Sequence, residues 1–273
     1  MSTSDQKDYV LGTRDEELAR LGFQHRVWAA QAHALWERAG FAPGSTILDA
    51  GCGPGFATIE LARLVGAAGR IIAADASEKF LDHLRRQLAA GQITNVQPTL
   101  VDVEKLDLPA GSLDGAYARW LLCFVRDPQA VVAAVARALR PGGVFAVQDY
   151  FNYGTMTLAP RSALCSRVVE AVCESWRQRG GDPDIVARLP KMMAACGLQV
   201  REIQPVLRVA RPGSVLWDWP GSFVRIFVPT LVELGLLTRD EQTEFAAEWE
   251  QRSRDPHSFF FCPPAFDVIA VKE

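Results

Sequence analysis

One stretch constrains this chain more than any other: Thr46-Ile-Leu-Asp-Ala-Gly-Cys-Gly-Pro-Gly-Phe-Ala-Thr58, an apolar run closed by an acid and followed by three glycines at alternate positions. It reads as strand, tight turn and helix. Gly51, Gly53 and Gly55 have no Cβ, so the backbone there can take positive φ and come close to a ligand. The helix that opens near Gly55 presents unpaired N–H groups and the positive end of its dipole. In an open parallel sheet, the crevice beyond the carboxyl end of such a strand is where ligands bind. A dinucleotide fingerprint, G-x-G-x-x-G, needs glycine at position 56, where the chain has Phe56. No G-x-x-x-x-G-K-S/T run is present, which excludes a P-loop. Asp49, two residues ahead of the first glycine, suits a cofactor with an ammonium or sulfonium charge better than one with phosphates.

The following residues keep alternating between strand and helix patterns. Strand Thr46–Ala50 precedes helix Ala57–Val65; strand Arg70–Asp75 precedes helix Glu78–Ala89, with Ser77 as its N-cap. Strands Val96–Val101 and Leu113–Arg119, helix Gln129–Leu139, the turn Arg140-Pro-Gly-Gly143 and strand Val144–Asp149 complete the series. Such alternation predicts an α/β fold with a doubly wound, mostly parallel sheet. Asp75 closes the second strand, where a carboxylate can accept both hydroxyls of a ribose, with Ala76 beside it.

The D-x-G-x-G-x-G pattern of Asp49 to Gly55 resembles the first motif of the class I S-adenosylmethionine (SAM) dependent methyltransferases. The resemblance spans residues 45–150 and is weaker over the N-terminal helix and the C-terminal strands. It implies a seven-stranded sheet of order 3-2-1-4-5-7-6 with the last strand antiparallel, and SAM as cofactor with S-adenosylhomocysteine (SAH) as product. It places the carboxylate of Asp102 against the adenine amino group and the Val103 N–H against a ring nitrogen. Arg119 and Trp120 end the fourth strand, where the acceptor must approach. The family commonly has histidines shortly after that strand; Cys123 and Phe124 stand there, so no general base carries over. A helix ahead of the glycine motif serves the family as part of a lid. That would bring Tyr9, Gln24, His25 or Trp28 to the methyl group, with Tyr9, Gln24 and Arg119 as cofactor contacts and His25 as the candidate base. Arg140-Pro-Gly-Gly143 matches the family's turn before the fifth strand. The similarity is greatest to the bacterial small-molecule group that includes the quinone-pathway C-methyltransferases.

The flanks carry patterns but no motif. Thr13-Arg-Asp-Glu16 is a capping box, and Leu18, Leu21, Trp28, Ala32, Leu35 and Ala39 give the helix behind it one apolar face. After Asp149, Tyr150 and Tyr153 would line an acceptor pocket, alongside Trp120 and Phe124. A helix from about Leu158 to Arg179 and another from Asp182-Pro183 to Cys196 precede strand Leu198–Val209. The insertion Pro212–Pro256, with Trp217, Trp219, Phe223 and Phe227 and a capping box at Thr238 and Glu241, reads as an aromatic cap over substrate, with Trp217 and Phe223 as contacts. Ser258–Cys262 and Phe266–Lys272 are strand material, the latter supplying the antiparallel strand. The expected organisation is a lid helix at 1–44, a cofactor core at 45–150 and the remaining strands with cap insertions at 151–273, one domain overall.

Composition narrows the partners. The 273 residues carry 29 basic and 32 acidic side chains, a formal net charge of −3, which argues against nucleic acid. Six single cysteines without a C-x-x-C pair or histidines at ligand spacing point to reduced thiols and no metal. No apolar run approaches the ~18 residues of a membrane span and the N-terminus has no leader pattern, so the expected place is the cytoplasm, as a monomer or homodimer. The resemblance and the aromatic insertion imply methyl transfer by in-line displacement to O or N of a small, partly apolar molecule, possible in secondary metabolism. Alternatives are C-methylation of a quinone-like acceptor, a SAM-binding protein that catalyses another reaction, and a nicotinamide dehydrogenase.

Overall fold

The central strands are continuous apolar runs, as befits parallel strands covered on both faces. In β1 (Thr46–Ala50), Ile47, Leu48 and Ala50 are fully buried, and Ile71, Ala73 and Ala74 are likewise buried in β2 (Arg70–Asp75). The computed structural model describes residues 15–273, so the Thr13 capping box and Tyr9 lie outside the described residues. The chain opens on helix α1 (Asp15–Arg38), which buries Trp28, Ala32, Leu35 and Trp36 along one face. After β1 come α2 (Phe56–Val65), β2, α3 (Glu78–Ala90) and β3 (Val96–Leu100). Then follow β4 (Leu113–Arg119), α4 (Pro128–Ala138), β5 (Leu139–Tyr150), β6 (Thr157–Ala159), α5 (Ala163–Gln178), α6 (Leu189–Ala195) and β7 (Leu198–Val206). The remainder is β8 (Val209–Ala210), α7 (Val215–Glu233), α8 (Arg239–Arg254), β9 (Phe259–Phe261) and β10 (Ala265–Lys272).

Seven strands form the main sheet in the order β3-β2-β1-β4-β5-β10-β7. β1, β2, β3, β4 and β5 pair in parallel, and β10 runs antiparallel to both β5 and β7. Counting only those strands along the chain gives 3-2-1-4-5-7-6, the expected order. The order reverses at β1 and β4, which opens a crevice at their carboxyl ends.

The structure corrects several boundaries. The strand expected to reach Val209 ends at Val206; Val209 and Ala210 instead pair with β9 in a separate β6-β9-β8 sheet. Leu158 does not start a helix: Thr157–Ala159 pair with Phe259–Phe261, and α5 begins behind Ser162, whose Oγ accepts the Cys165 N–H at 2.9 Å. Asp182-Pro183 does not open a long helix either. A short 3₁₀ turn, Ile185–Ala187, intervenes, and α6 starts at Leu189 with Pro190 in its first turn, where the missing N–H costs nothing. Arg140–Gly143 is extended rather than a closed turn. The β4–β5 register jumps there from Leu113↔Leu139 to Gly115↔Val144, with Gly142 at φ +77° absorbing the extra length. The Thr238 capping box is present with both hydrogen bonds. All six cysteines are free thiols. Among the described residues, no helix is long and apolar enough to cross a membrane, and no cluster of His, Cys, Asp or Glu could hold a metal ion.

Candidate functional site

The glycine turn after β1 is shaped by three left-handed residues: Gly51 at φ +65°, Gly53 at +53° and Gly55 at +85°. A Cβ at Gly51 would stand 2.6 Å from Leu121 Cδ1, whereas one at Gly53 would meet no atom within 4 Å. The first glycine therefore permits close packing and the second leaves open space for a ligand. Asp75 ties the turn to β2: its Oδ2 accepts the Gly53 N–H and its Oδ1 the Ser77 N–H, both at 2.8 Å. Asp49 is buried under the turn, where its Oδ2 accepts from Thr58 Oγ1 at 2.6 Å. Asp102 N-caps a 3₁₀ turn beyond β3, accepting the Glu104 N–H at 3.1 Å.

These groups line one cavity of about 440 Å³. It gathers Gln24, Asp49, Gly51, Gly53, Asp75, Ala76, Asp102, Val103 and Arg119, every described residue expected at the cofactor, together with His25. Arg119 crosses from β4 and donates from Nη2 to His25 Nδ1 at 2.9 Å, while its Nη1 is buried without a partner.

Behind it lies a second, apolar cavity of about 70 Å³. Its walls come from α1, the β4 and β5 ends, α5, α7 and α8, and they include Tyr150, Tyr153 and Phe223 as expected. Gln24, Trp120 and Phe124 line both cavities and form the partition. Trp120 holds a left-handed backbone, φ +49°, a strained conformation for a bulky residue. Its ring stacks on Tyr150 at 15° and Trp219 at 19°, with Trp28 edge-on at 5.5 Å.

Residues 47–143 match the family model described as a methyltransferase domain. That stretch is similar to a methyltransferase domain, and the glycine turn, Asp49, Asp75 and Asp102 fall within it. A ubiquinone/menaquinone biosynthesis C-methyltransferase of Teredinibacter turnerae is 30% identical over 55% of the chain and 63% of its own length. The chain thus spans less than two thirds of the length of the curated relatives it matches. Two solved structures share the methyltransferase fold at 18% identity. The geranyl diphosphate C-methyltransferase of Streptomyces coelicolor, in complex with SAH, has a TM-score of 0.58, covering 91% of this chain and 77% of that one. The 4+2 cyclase SpnF has 0.57, covering 89% and 80%.

The first cavity fits a cationic nucleoside. Burial pushes the Asp49 carboxyl up to about 6, against the pull of Thr58 and Arg119, so at neutral pH it is an anion. Desolvation likewise raises Asp75, partly offset by backbone N–H groups from Ser77, Gly53 and Ala76. The unpartnered Arg119 Nη1 is an open donor for a carboxylate, and the space above Gly53 admits a ligand against the backbone.

Two expected roles do not fit. His25 takes the Arg119 N–H on Nδ1, which places its proton on Nε2, 3.0 Å from Glu60 Oε2. Its lone pair is used, and it lines the cofactor cavity only, so it is not placed to serve as base for an acceptor. Burial opposes ionisation of Glu60, but the nearby His25 imidazole and the hydrogen bond from His33 outweigh it and hold the carboxyl near 2. Trp217 does not line the second cavity; it stacks on Trp249 at 4.9 Å and donates to Ser253 Oγ at 2.9 Å, inside the α7–α8 core. Trp219 is the wall residue instead, its Nε1 donating to Gln24 Oε1 at 2.9 Å. Residues two apart on a helix do not share a face, so a W-x-W pair signals that one ring faces the cavity without saying which. Arg20 and Trp176, also in the wall, sit among ordinary helical patterns and carry no sequence signal.

Proposed function

We propose that the protein transfers a methyl group from SAM to O or N of a small, partly apolar molecule. The observation that carries this reading is the shared partition: a cavity edged by carboxylates and the glycine turn, suited to a nucleoside, and an apolar one meet at Gln24, Trp120 and Phe124. In this reading residues 1–44 act as lid, 45–150 hold the cofactor, and 151–273 complete the sheet and enclose the acceptor.

Asp75 would hold the ribose hydroxyls, its oxygens having acceptor capacity beyond their backbone bonds. Asp102 and Val103 would hold the adenine edge, and Arg119 the amino-acid carboxylate through its open Nη1. Asp49 contributes negative charge beneath the turn. When bound, SAM supplies a methyl group already activated on a sulfonium. The protein's part is then to align a nucleophile and exclude water, worth up to ~7–11 kcal/mol in favourable cases. The stacked rings of Trp120, Tyr150 and Trp219 give the partition a flat apolar face that does both.

C-methylation is the second reading, favoured by the printed activity of the quinone-pathway relatives. The fold neighbour named as a cyclase supports keeping a non-methylating reaction in view as well. SAH formation with candidate acceptors separates that case. The first test is thermal: SAH should raise the melting temperature and NAD should not, and stabilisation by NAD alone would sink the proposal.

A further inference from the structure

Two of the rings that line the second cavity carry buried donors with no acceptor in the fold: the Nε1 of Trp120 and that of Trp176. Trp176 is only 2% exposed. Both rings flank Tyr150, whose centroid lies 6.0 Å from each. Arg20 adds a cationic edge. Its partner Glu17, held by two hydrogen bonds of 2.7 Å, does not line the cavity, so the guanidinium is the nearer end of the pair. Gln24 Oε1 already accepts from Arg20 and Trp219, which leaves its amide N–H groups to offer. Among the described residues, no carboxylate or imidazole lines this cavity.

A buried donor with no acceptor costs free energy that a suitable ligand atom recovers. Donors facing an anionic oxygen form the stronger, charge-assisted kind of bond. A localised charge would be too expensive to desolvate here, whereas one spread over a conjugated system costs less. The nearly parallel rings of Trp120, Tyr150 and Trp219 suit a flat molecule.

We infer that the acceptor is a flat, apolar compound bearing an ionised, conjugated enol or phenol oxygen, bound with its oxygens against Trp120, Trp176 and the guanidinium side of Arg20, and that ammonium compounds are rejected. The inference deepens the methyltransferase reading and rests on it. When the methyl goes to that oxygen, an acceptor that enters as its anion has no proton left to lose, which matches walls that present donors.

The test is calorimetric titration of the SAH-saturated protein with three small probes: 4-nitrophenol, nitrobenzene and 4-nitrobenzylamine. The titratable groups facing the cavity are Arg20, Tyr150, Tyr153 and Cys165. Burial pushes both tyrosines well up and Cys165 up to about 11, and arginine stays cationic, so none of these titrates near neutrality; Asp49 and Asp149, raised to about 6 outside the cavity, act on nitrobenzene as well, so a pH response confined to 4-nitrophenol belongs to the probe. 4-Nitrophenol should bind at least tenfold more tightly than nitrobenzene once ionised, and lose that advantage as it is protonated. 4-Nitrobenzylamine should bind more weakly than either. Trp176→Phe, which keeps a ring and removes the donor, should cost the phenolate about tenfold and leave nitrobenzene unchanged. Equal affinities for phenolate and nitrobenzene, or a preference for the ammonium, would overturn the inference; if Trp176→Phe does not fold, the wild-type ranking decides alone. Protein that binds SAH without this ranking keeps the methyltransferase reading and loses the acceptor class. Protein that binds no SAH loses both.

Discussion

The two cavities are built from different material. The cofactor cavity rests on backbone N–H groups and on carboxylates at successive strand ends, Asp49, Asp75 and Asp102, with Arg119 from β4 closing it. The second cavity, proposed for the acceptor, rests on side chains drawn from Arg20 to Pro263, nearly all apolar. A site made of backbone must fix glycines and caps at set spacings. A site made of rings needs only bulk from several helices, and many sequences supply that.

The largest effect that would break this division concerns Trp217, which belongs to neither cavity. Trp217→Ala should cost about 3–5 kcal/mol of stability, measured by urea unfolding, as expected for a large buried ring. It should leave acceptor KM unchanged in the folded fraction, and a KM change without loss of stability would return Trp217 to the site. Next comes Asp75→Ala, which removes an ionised acceptor worth about 1.5–3 kcal/mol. SAH affinity by calorimetry should fall more than tenfold while binding to the apolar cavity is kept. Phe223→Ala is the mirror experiment: acceptor KM should shift by the ~0.5–1.5 kcal/mol of an aromatic contact, with SAH affinity intact.

The smallest effect is in pH. Burial raises the folded carboxyl of Asp49 to about 6, above the ~3.9 of an unfolded chain. Between those values the folded chain binds more protons than the unfolded one, so the ligand-free protein loses stability as pH rises through that window. Asp149, also raised to about 6 by burial, adds to the trend. Asp49→Asn should flatten part of it in melting curves and also remove the gain in SAM affinity as pH rises past about 6. Asp149→Asn should flatten the melting trend alone, because Asp149 faces the Leu122, Cys123 and Tyr150 N–H groups and no cavity.

The same division explains what was legible in the sequence. The alternation of strands and helices and the glycine turn were readable because each depends on spacing along one segment; the sheet order came from the family resemblance and is observed, and the residues expected at the cofactor line one cavity. The start of α5 was not legible, since Thr157–Ala159 find a partner in β9, a hundred residues on. Nor was the choice between Trp217 and Trp219, which turns on how α7 is rotated against α1 and α8. His25, expected as a base, lines the first cavity, but its lone pair is committed to Arg119, a contact across 94 positions that no local pattern signals. The strained backbone of Trp120 is equally silent in sequence, although it sets the partition between the cavities.

That partition is tested most directly by NMR on the protein bound to SAM labelled with ¹³C in its methyl group. Nuclear Overhauser contacts from the labelled methyl to the ring protons of Trp120 and Phe124 are the expected result, placing the group at the wall the two cavities share. A methyl that contacts neither ring, in a complex that binds SAM, would contradict the arrangement of cofactor and acceptor described for this chain.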